Sequence, residues 1–272
     1  MENVKVNVFN ALNGSRLSGL TDKLPDGYDY FYIGLYGSQN YNLDNENSDV
    51  DAKAIVVPSF NDLLKFQGES KEFSFGDGLL DVKDVRLMFE QFLKMNLNFL
   101  EILFTDDFVY NTFYEKEVLE LRDMAEDIAA SDKMRLLRSN LGMMRSKFNS
   151  AFMVTSSNAE DIARYGYSPK DAASVFRVGE FLLSYLDRGL PFKEAMSVRS
   201  SEKEELIRRV REGSLDRKFV FSAYEAEIAE VNKFASKFTS SYAEKQNTEV
   251  VNRLEDLKRR IVKKGVREDI LG

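Results

Sequence analysis

Short apolar runs along the first third of the chain are typical of β-strands. Residues 30–36 form an aromatic and β-branched run, and residues 50–58 alternate before they become apolar. Residues 72–75 and 79–82 flank a Gly-Asp-Gly sequence, which is a strong signal for a hairpin turn. The pattern therefore predicts two buried strands followed by a hairpin. Residues 4–12 fit a strand or part of a helix equally well, and the pattern leaves that choice open.

From residue 84 onward the spacing of apolar residues changes to three and four, the period of an α-helix. Asp84 can cap the first of these helices, and Ser168 followed by Pro169 indicates the start of another. The predicted helices cover residues 85–93, 115–128, 133–148, 169–186, 202–211, 221–238 and 250–264. This order predicts an α+β fold in two domains, a mixed α/β domain at 1–112 and a helical domain at 113–272.

The composition removes several kinds of chemistry. The 272 residues include no Cys and no His, which excludes disulfides, thiolate zinc sites, cysteine nucleophiles and histidine-based catalysis. An enzyme built from this chain would use carboxylates, hydroxyls, Lys or Arg, and that chemistry suits magnesium bound by aspartates. The formal charge of −7 leaves no globally basic surface, so a nucleic-acid partner would need a local basic patch.

Targeting and membrane signals are absent from the sequence. The first residues lack a basic region followed by an apolar run, and no stretch approaches the roughly 18 apolar residues of a membrane span. We therefore expect a soluble cytoplasmic protein without a membrane partner.

The segment that carries chemistry is Gly37-Ser38, ten residues, and then Asp49-Val50-Asp51. On a strand, residues two apart point to the same face, so both carboxylates would converge on one side. Two converging carboxylates repel each other unless a cation is present, and oxygen ligands of this kind favour magnesium or manganese. A strand that ends in Gly-Ser before a short helical turn also offers backbone N–H groups and a hydroxyl to an anion.

A third carboxylate is expected on a neighbouring strand, because two-metal transfer needs a ligand near the attacking hydroxyl. Asp81 fits, since it lies in the apolar run just before the first helix. Asp84 is better explained as a helix cap, and Asp77 lies in the predicted turn.

The string from Gly37-Ser38 to Ser48-Asp49-Val50-Asp51 resembles the signature of the DNA polymerase β nucleotidyltransferase superfamily. Residues 37–58 are similar to its predicted-nucleotidyltransferase branch, which includes the RNA-repair-associated polymerase-β family of bacteria and phages. The chain departs from that pattern at Asn42, where Gly is usual, and at Ala54. Two later segments, at 96–104 and 167–177, resemble further parts of the family pattern, although the histidine usual in the second is absent.

The resemblance covers roughly residues 30–215 and implies a nucleotidyltransferase fold, a short mixed sheet with helices followed by a helical domain. By analogy, Asp49, Asp51 and Asp81 would be the catalytic residues and would hold two Mg²⁺ or Mn²⁺ ions. Gly37 and Ser38 would bind the triphosphate of an NTP such as ATP.

Other residues have both a functional and a structural interpretation. Lys170 and Arg177 are seven apart on one predicted helix, so they would share a face that neutralises phosphates or is simply solvated. Tyr41 would stack the base, in contrast to the other nearby tyrosines, for which core packing is expected. Lys53 is expected to balance the charge of the Asp-x-Asp pair, and Glu101 to form a structural ion pair or helix-end contact.

The sequence thus predicts a metal-dependent nucleotidyltransferase that moves an NMP from an NTP to a hydroxyl and releases pyrophosphate. The favoured acceptor, an RNA end, comes from the family resemblance. One alternative is an enzyme that nucleotidylates (AMPylates) protein, and another is a nucleotide-binding regulatory module without turnover. The basic C-terminal helix is either packed with a solvated basic face or in contact with an RNA backbone.

Overall fold

A mixed β-sheet forms the centre of the first part of the protein. The computed structural model describes residues 9–11, 17, 28–44, 49–65, 68–75, 78–198, 201–242 and 247–271. The strands found there are β1 (Phe9–Ala11), β2 (Asp29–Tyr36), β3 (Asp51–Val57), β4 (Ser70–Phe75), β5 (Gly78–Asp84) and β6 (Phe108–Asn111). They form one sheet in the order β1-β6-β2-β3-β5-β4. Strands β3 and β5 are parallel, and the other neighbouring pairs are antiparallel.

The two faces of this sheet differ in chemistry because side chains alternate along each strand. One face packs into a core of buried apolar residues that includes Ile33, Leu35, Ala52, Leu80 and Val82. Residues one position away on β3 and β5 point to the opposite face, and several of them are charged. The period-two pattern therefore places a polar surface on a rigid, well-packed support.

Contacts divide the chain into two compact units. The first contains the described residues of 1–40, 44–132 and 246–272, and the second those of 41–43 and 133–245. The helices of the first unit are α1 (Phe60–Leu64), α2 (Val85–Leu93), α3 (Leu97–Leu100), α4 (Glu115–Asp123), α5 (Ala125–Ala130) and α12 (Thr248–Leu271). Those of the second are α6 (Lys133–Phe152), α7 (Ala159–Tyr165), α8 (Pro169–Leu182), α9 (Phe192–Met196), α10 (Ser201–Arg211) and α11 (Arg217–Ser241).

The α+β class is confirmed, with a mixed sheet and helices followed by an α-helical region. The division at residues 112 and 113 stays a prediction about functional domains, which need not coincide with units defined by contacts. The hairpin is confirmed by the antiparallel pairing of β4 with β5, although its turn residues 76–77 lie outside the described residues. Of residues 4–12, whose structure the sequence left open, Phe9–Ala11 form strand β1 and the others lie outside the described residues.

Helix starts follow the expected chemistry in most cases. Asp84 caps α2, and its Oδ1 accepts a hydrogen bond from the backbone N–H of Arg86 at 2.7 Å. Helix α8 begins at Pro169 as expected, but the Ser168 side chain makes no hydrogen bond to the helix backbone. Its hydroxyl lies 3.4 Å from a carboxylate oxygen of Asp171 instead.

Among the described helices, none is long and apolar enough to cross a membrane.

Candidate functional site

The end of β2 provides the first part of the candidate site. Gly37 follows the strand with φ at +98°, a conformation that favours glycine because it has no Cβ. Ser38 then starts a 3₁₀ turn, Ser38–Tyr41, which Asn40 closes with a backbone bond to the Gly37 carbonyl at 3.0 Å. The Gly37 N–H donates to Oε2 of the buried Glu101 at 3.3 Å. Glu101, for which the sequence led us to expect an ion pair or a helix-end contact, thus accepts a backbone hydrogen bond just before the 3₁₀ turn. It occupies an N–H that was considered for phosphate.

Asp51 is the first residue of β3 and lies opposite Tyr36, the last residue of β2. Its Oδ1 accepts a hydrogen bond from the backbone N–H of Leu79 on β5 at 3.0 Å. Asp49 lies two residues before the strand begins and is exposed. Its carbonyl accepts a hydrogen bond from the Gln39 side chain at 2.7 Å. The strand-based argument for a shared face therefore applies to Asp51 but not to Asp49, because the strand starts at Asp51, two residues after Asp49.

Asp81 lies on the neighbouring strand, as the sequence predicted, and it is held by two lysines. In the parallel register of β3 and β5 it is the partner of Lys53, so Asp51 and Asp81 share one face of the sheet. Oδ2 of Asp81 lies 3.0 Å from the Lys53 Nζ, and Oδ1 lies 3.0 Å from the Lys83 Nζ. The sequence led us to expect that Lys53 balances Asp49 and Asp51, and the structure adds Asp81 as an ion-pair partner that strand pairing brings next to it.

Aromatic rings line this charged face. The Lys53 Nζ lies 3.8 Å from the ring centroid of Tyr36 and 4.5 Å from that of Phe99. Burial raises the pKa of the Tyr36 hydroxyl well above its usual range, and the negative charges of Asp51 and Asp81 raise it further. The contributions of Asp51 and Asp81 to that shift mean that these two carboxylates lie near enough to Tyr36 to disfavour another negative charge there. A positive charge is therefore favoured on this face.

The oxygen donors fit a divalent cation in their chemistry, since carboxylates are the ligands that Mg²⁺ prefers. Among the described residues, however, no three acidic side chains lie close enough together to form a ready metal site. Asp51 and Asp81 are the carboxylates that the strands bring to one face, and Asp49 stands at the edge. Both oxygens of Asp81 are already engaged by lysines, so a cation would share or displace those contacts.

The other predicted nucleotide-binding residues, Tyr41, Lys170 and Arg177, lie in the second unit. Lys170 is exposed at the start of α8, whereas Arg177 on the same helix is 8% exposed. The guanidinium of Arg177 lies 3.9 Å from the ring centroid of Tyr41, which is itself 4% exposed. Within the part of the chain that the structure describes, the buried Nη1 of Arg177 has no hydrogen-bond partner. A nucleotide role for these three residues stays a prediction, and the structure adds that Tyr41 already has a cation against its ring.

Lys83 and Phe99 are components of the charged face that sequence reasoning missed. Lys83 is two residues from Asp81, so strand alternation alone could have placed both on one face. Phe99 could not have been found in this way, because its position depends on how α3 packs over the sheet.

A separate cleft in the first unit, lined by Asp29, Asp62 and Lys71 among others, contains none of the predicted site residues.

Comparisons with known proteins add little to this description. No protein-family model matches the chain, and no curated protein matches it. One solved structure that it resembles is a nucleotidyltransferase-like protein from Exiguobacterium sibiricum 255-15, with 11% identity over 93% of this chain and 75% of that one. The TM-score of 0.30 is too low for an argument about fold or function. The functional interpretation therefore rests on the residues and geometry of this chain.

Proposed function

We propose that this protein is a metal-dependent nucleotidyltransferase that moves an NMP from an NTP to a hydroxyl acceptor. The observation that carries the proposal is the placement of Asp51 and Asp81 on one face of adjacent parallel strands, with Asp51 beside Gly37 where β2 ends. The Asp51 Oδ2 lies 3.9 Å from the position that a Cβ on Gly37 would occupy. Carboxylates and a glycine-serine turn thus lie side by side, as phosphate and metal binding together require.

The proposed reaction is a single displacement at phosphorus. The acceptor hydroxyl loses its proton to water as its oxygen bonds to the α-phosphorus. The bond from that phosphorus to the bridging α–β oxygen breaks, and pyrophosphate leaves with the electron pair. Asp49, Asp51 and Asp81 would hold two Mg²⁺ or Mn²⁺ ions, which supply charge stabilisation for the attacking and leaving oxygens. Asp81 would lie nearest the acceptor, and Ser38 would donate its hydroxyl to the triphosphate.

Lys53 and Lys83 have a definite place in this proposal. An ammonium on each oxygen pairs with the buried Asp81 carboxylate while no cation is bound. Lys83 is the more exposed of the two, with 16% of its side chain accessible against 6% for Lys53. Lys83 is therefore the partner that gives way when a cation binds, and Lys53 stays as a fixed neighbour.

The same ion pairs favour a second candidate function, a nucleotide-binding module without turnover. In that case Lys53 and Lys83 replace the metal permanently, and Asp81 has only a structural role. The two candidates differ in the effect they predict for Asp81→Asn on nucleotidyl transfer. Loss of transfer with nucleotide binding retained supports the enzyme, whereas a protein without transfer in either form supports the module.

The acceptor proposed here is an RNA end, as the family resemblance implies, and a protein hydroxyl is the alternative. A transfer assay with each of the four α-labelled NTPs, Mg²⁺ or Mn²⁺, and pooled RNA tests both. Asp51→Asn and Asp81→Asn are the site variants, and Asp256→Asn, on an exposed face of α12, is the matched control. Label on RNA that only the site variants lose supports the proposal. Label on protein would mean that the acceptor is a protein hydroxyl. If no label is transferred while NTP still binds, the protein is the nucleotide-binding module and not the enzyme.

A further inference from the structure

The charged face of the sheet contains a further carboxylate, Glu72, which has no role in the proposed function. Glu72 lies on the edge strand β4 and is the register partner of Asp81 on β5. Residues directly opposite each other in an antiparallel pair point to the same face, with Cβ atoms about 4.5–5.5 Å apart. Its neighbour Phe73 packs against the apolar core on the other face. The carboxylates of Glu72 and Asp81 therefore lie on one face, on adjacent strands.

The sign of the charge at Glu72 is unfavourable for the sheet alone. Like charges at directly opposite positions of two strands destabilise their pairing. Edge strands commonly carry charge because it prevents association with another sheet, but a lysine would do this without facing a carboxylate. Glu72 is exposed, and it forms no ion pair within the described part of the chain. Its negative charge also contributes to the raised pKa of Tyr36, so it acts on the candidate site.

Lys83 is the cation that can reach Glu72. Its register partner on β4 is Ser70, so Glu72 is its diagonal neighbour, at about 7–8 Å, a distance that a long side chain spans. The Lys83 Nζ now lies 3.0 Å from Oδ1 of Asp81 and donates to the Ser70 hydroxyl at 2.9 Å. Rotation about the flexible lysine stem can move the ammonium from Asp81 to Glu72 without a change in the backbone.

Lys53 does not have the same freedom. Its Nζ lies 3.8 Å from the ring centroid of Tyr36 and 4.5 Å from that of Phe99, and 6% of its side chain is accessible. The Lys83 Nζ is farther from Phe99, at 5.5 Å, and 16% of that side chain is accessible. Lys53 also lies on β3, so the strand that carries Asp81 separates it from Glu72. Only one of the two lysines can therefore change its partner from Asp81 to Glu72.

We propose that Glu72 is a positioning residue, which receives the ammonium of Lys83 when a divalent cation replaces that ammonium at Asp81. Strands β3, β4 and β5 bring five charged side chains to this face, namely Asp51, Lys53, Glu72, Asp81 and Lys83. With two lysines against three acids, one negative charge is left over. A divalent cation reverses that balance, so Lys83 is repelled from Asp81 and pairs with the acid that has no partner. The inference rests on the proposed function, because that function requires the cation.

Mn²⁺ binding by the full chain, followed by electron paramagnetic resonance, tests this exchange without a transfer step. The titration is run with and without a non-hydrolysable NTP, so that a site completed by the nucleotide is also seen. The variants are Lys83→Met, Glu72→Gln and the double variant. The matched control is Lys71→Met, which removes one positive charge from the adjacent position of β4, on the other face of the sheet. Urea unfolding without metal checks that each variant is folded.

Lys83→Met removes the ammonium that competes with the cation, so Mn²⁺ should bind at least about fivefold more tightly. Glu72→Gln removes the second acceptor for that ammonium, so Mn²⁺ should bind about fivefold more weakly. Because Glu72 acts through Lys83, Glu72→Gln should change the affinity by less than about twofold in the Lys83→Met background. The control Lys71→Met should also change it by less than about twofold, since solvent and salt screen a charge on the other face.

Three results would overturn the inference while Mn²⁺ still binds to the unchanged protein. An equal loss from Glu72→Gln in both backgrounds would make Glu72 a ligand of the metal itself. Equal tightening by Lys83→Met and Lys71→Met would mean that net charge alone sets the affinity. An unchanged affinity in Lys83→Met would mean that its ammonium does not compete with the cation. If the unchanged protein binds no Mn²⁺ under either condition, the proposed function itself is refuted.

Discussion

Replacing Lys53 with Met probes the ion pairs that Asp81 forms in the candidate site. The Lys53 Nζ lies 3.0 Å from Oδ2 of Asp81, and only 6% and 7% of these side chains are exposed. Methionine has a similar length and an apolar stem, so packing is largely kept while the charge is lost. The substitution therefore leaves a buried carboxylate with one of its two ammonium partners.

The expected cost follows from that geometry. Removing one partner of a buried ion pair costs about 3–5 kcal/mol, because the other charge stays buried. The Lys83 Nζ still lies 3.0 Å from Oδ1 of Asp81, so we take the lower end, a loss of about 3 kcal/mol in the free energy of unfolding. With a urea m-value of about 3 kcal/mol/M, the unfolding midpoint should fall by about 1 M.

Urea unfolding followed by far-UV circular dichroism measures this loss. The control is Lys94→Met, whose partner Glu90 lies 3.8 Å away with both side chains more than half exposed, and its expected cost is below about 1 kcal/mol. A double-mutant cycle of Lys53→Met with Asp81→Asn should give a coupling of about 2 kcal/mol or more. A loss below about 1 kcal/mol for Lys53→Met would refute the reasoning. Losing an almost fully buried ion pair should cost more than losing an ion pair on the surface.

Four further substitutions test stability. Gly34→Ala would place its Cβ 2.9 Å from the Tyr32 ring and 3.0 Å from the Ile102 Cβ, so it should cost about 1–3 kcal/mol in urea unfolding. Gly142→Ala meets nothing within 4 Å and should instead stabilise by about 0.5–1 kcal/mol; two changes of the same sign would contradict this account. Burial raises the pKa of Tyr32 to about 12, so its stabilising contribution is complete below pH 10 and is lost as the pH rises through 12. The stability advantage over Tyr32→Phe should shrink across that interval, and a constant difference would be inconsistent with the raised pKa. Asp84→Ala removes the cap of α2 and should lower the unfolding free energy by about 0.5–2 kcal/mol, whereas an unchanged urea midpoint would mean that the cap contributes nothing.

Local patterns predicted those parts of the fold that depend on neighbours in sequence. The strand at residues 30–36, the hairpin and the helix cap at Asp84 all follow from alternation, turn residues and capping chemistry. The strand β6 (Phe108–Asn111) was missed because it has only four residues and no alternation long enough to recognise. Its strand character comes from pairing with β1 and β2, which is a tertiary effect.

The candidate site shows the same division. Asp81 could be expected on a neighbouring strand because it lies in an apolar run before a helix, and it does lie beside β3. Its two lysine partners depend on strand register and packing, which one sequence does not reveal. In the same way, the contact of Arg177 with Tyr41 joins residues 136 positions apart, so helical spacing gave no signal for it.

The central claim is that the face carrying Asp51 and Asp81 binds divalent metal together with a nucleotide. Titration of Mn²⁺ followed by electron paramagnetic resonance, with a non-hydrolysable NTP present, measures this directly. We predict about two bound Mn²⁺ ions per chain, reduced in Asp51→Asn and in Asp81→Asn but unchanged in the control Asp256→Asn. Equal Mn²⁺ binding in all four proteins, or none in the unchanged protein, would contradict the account.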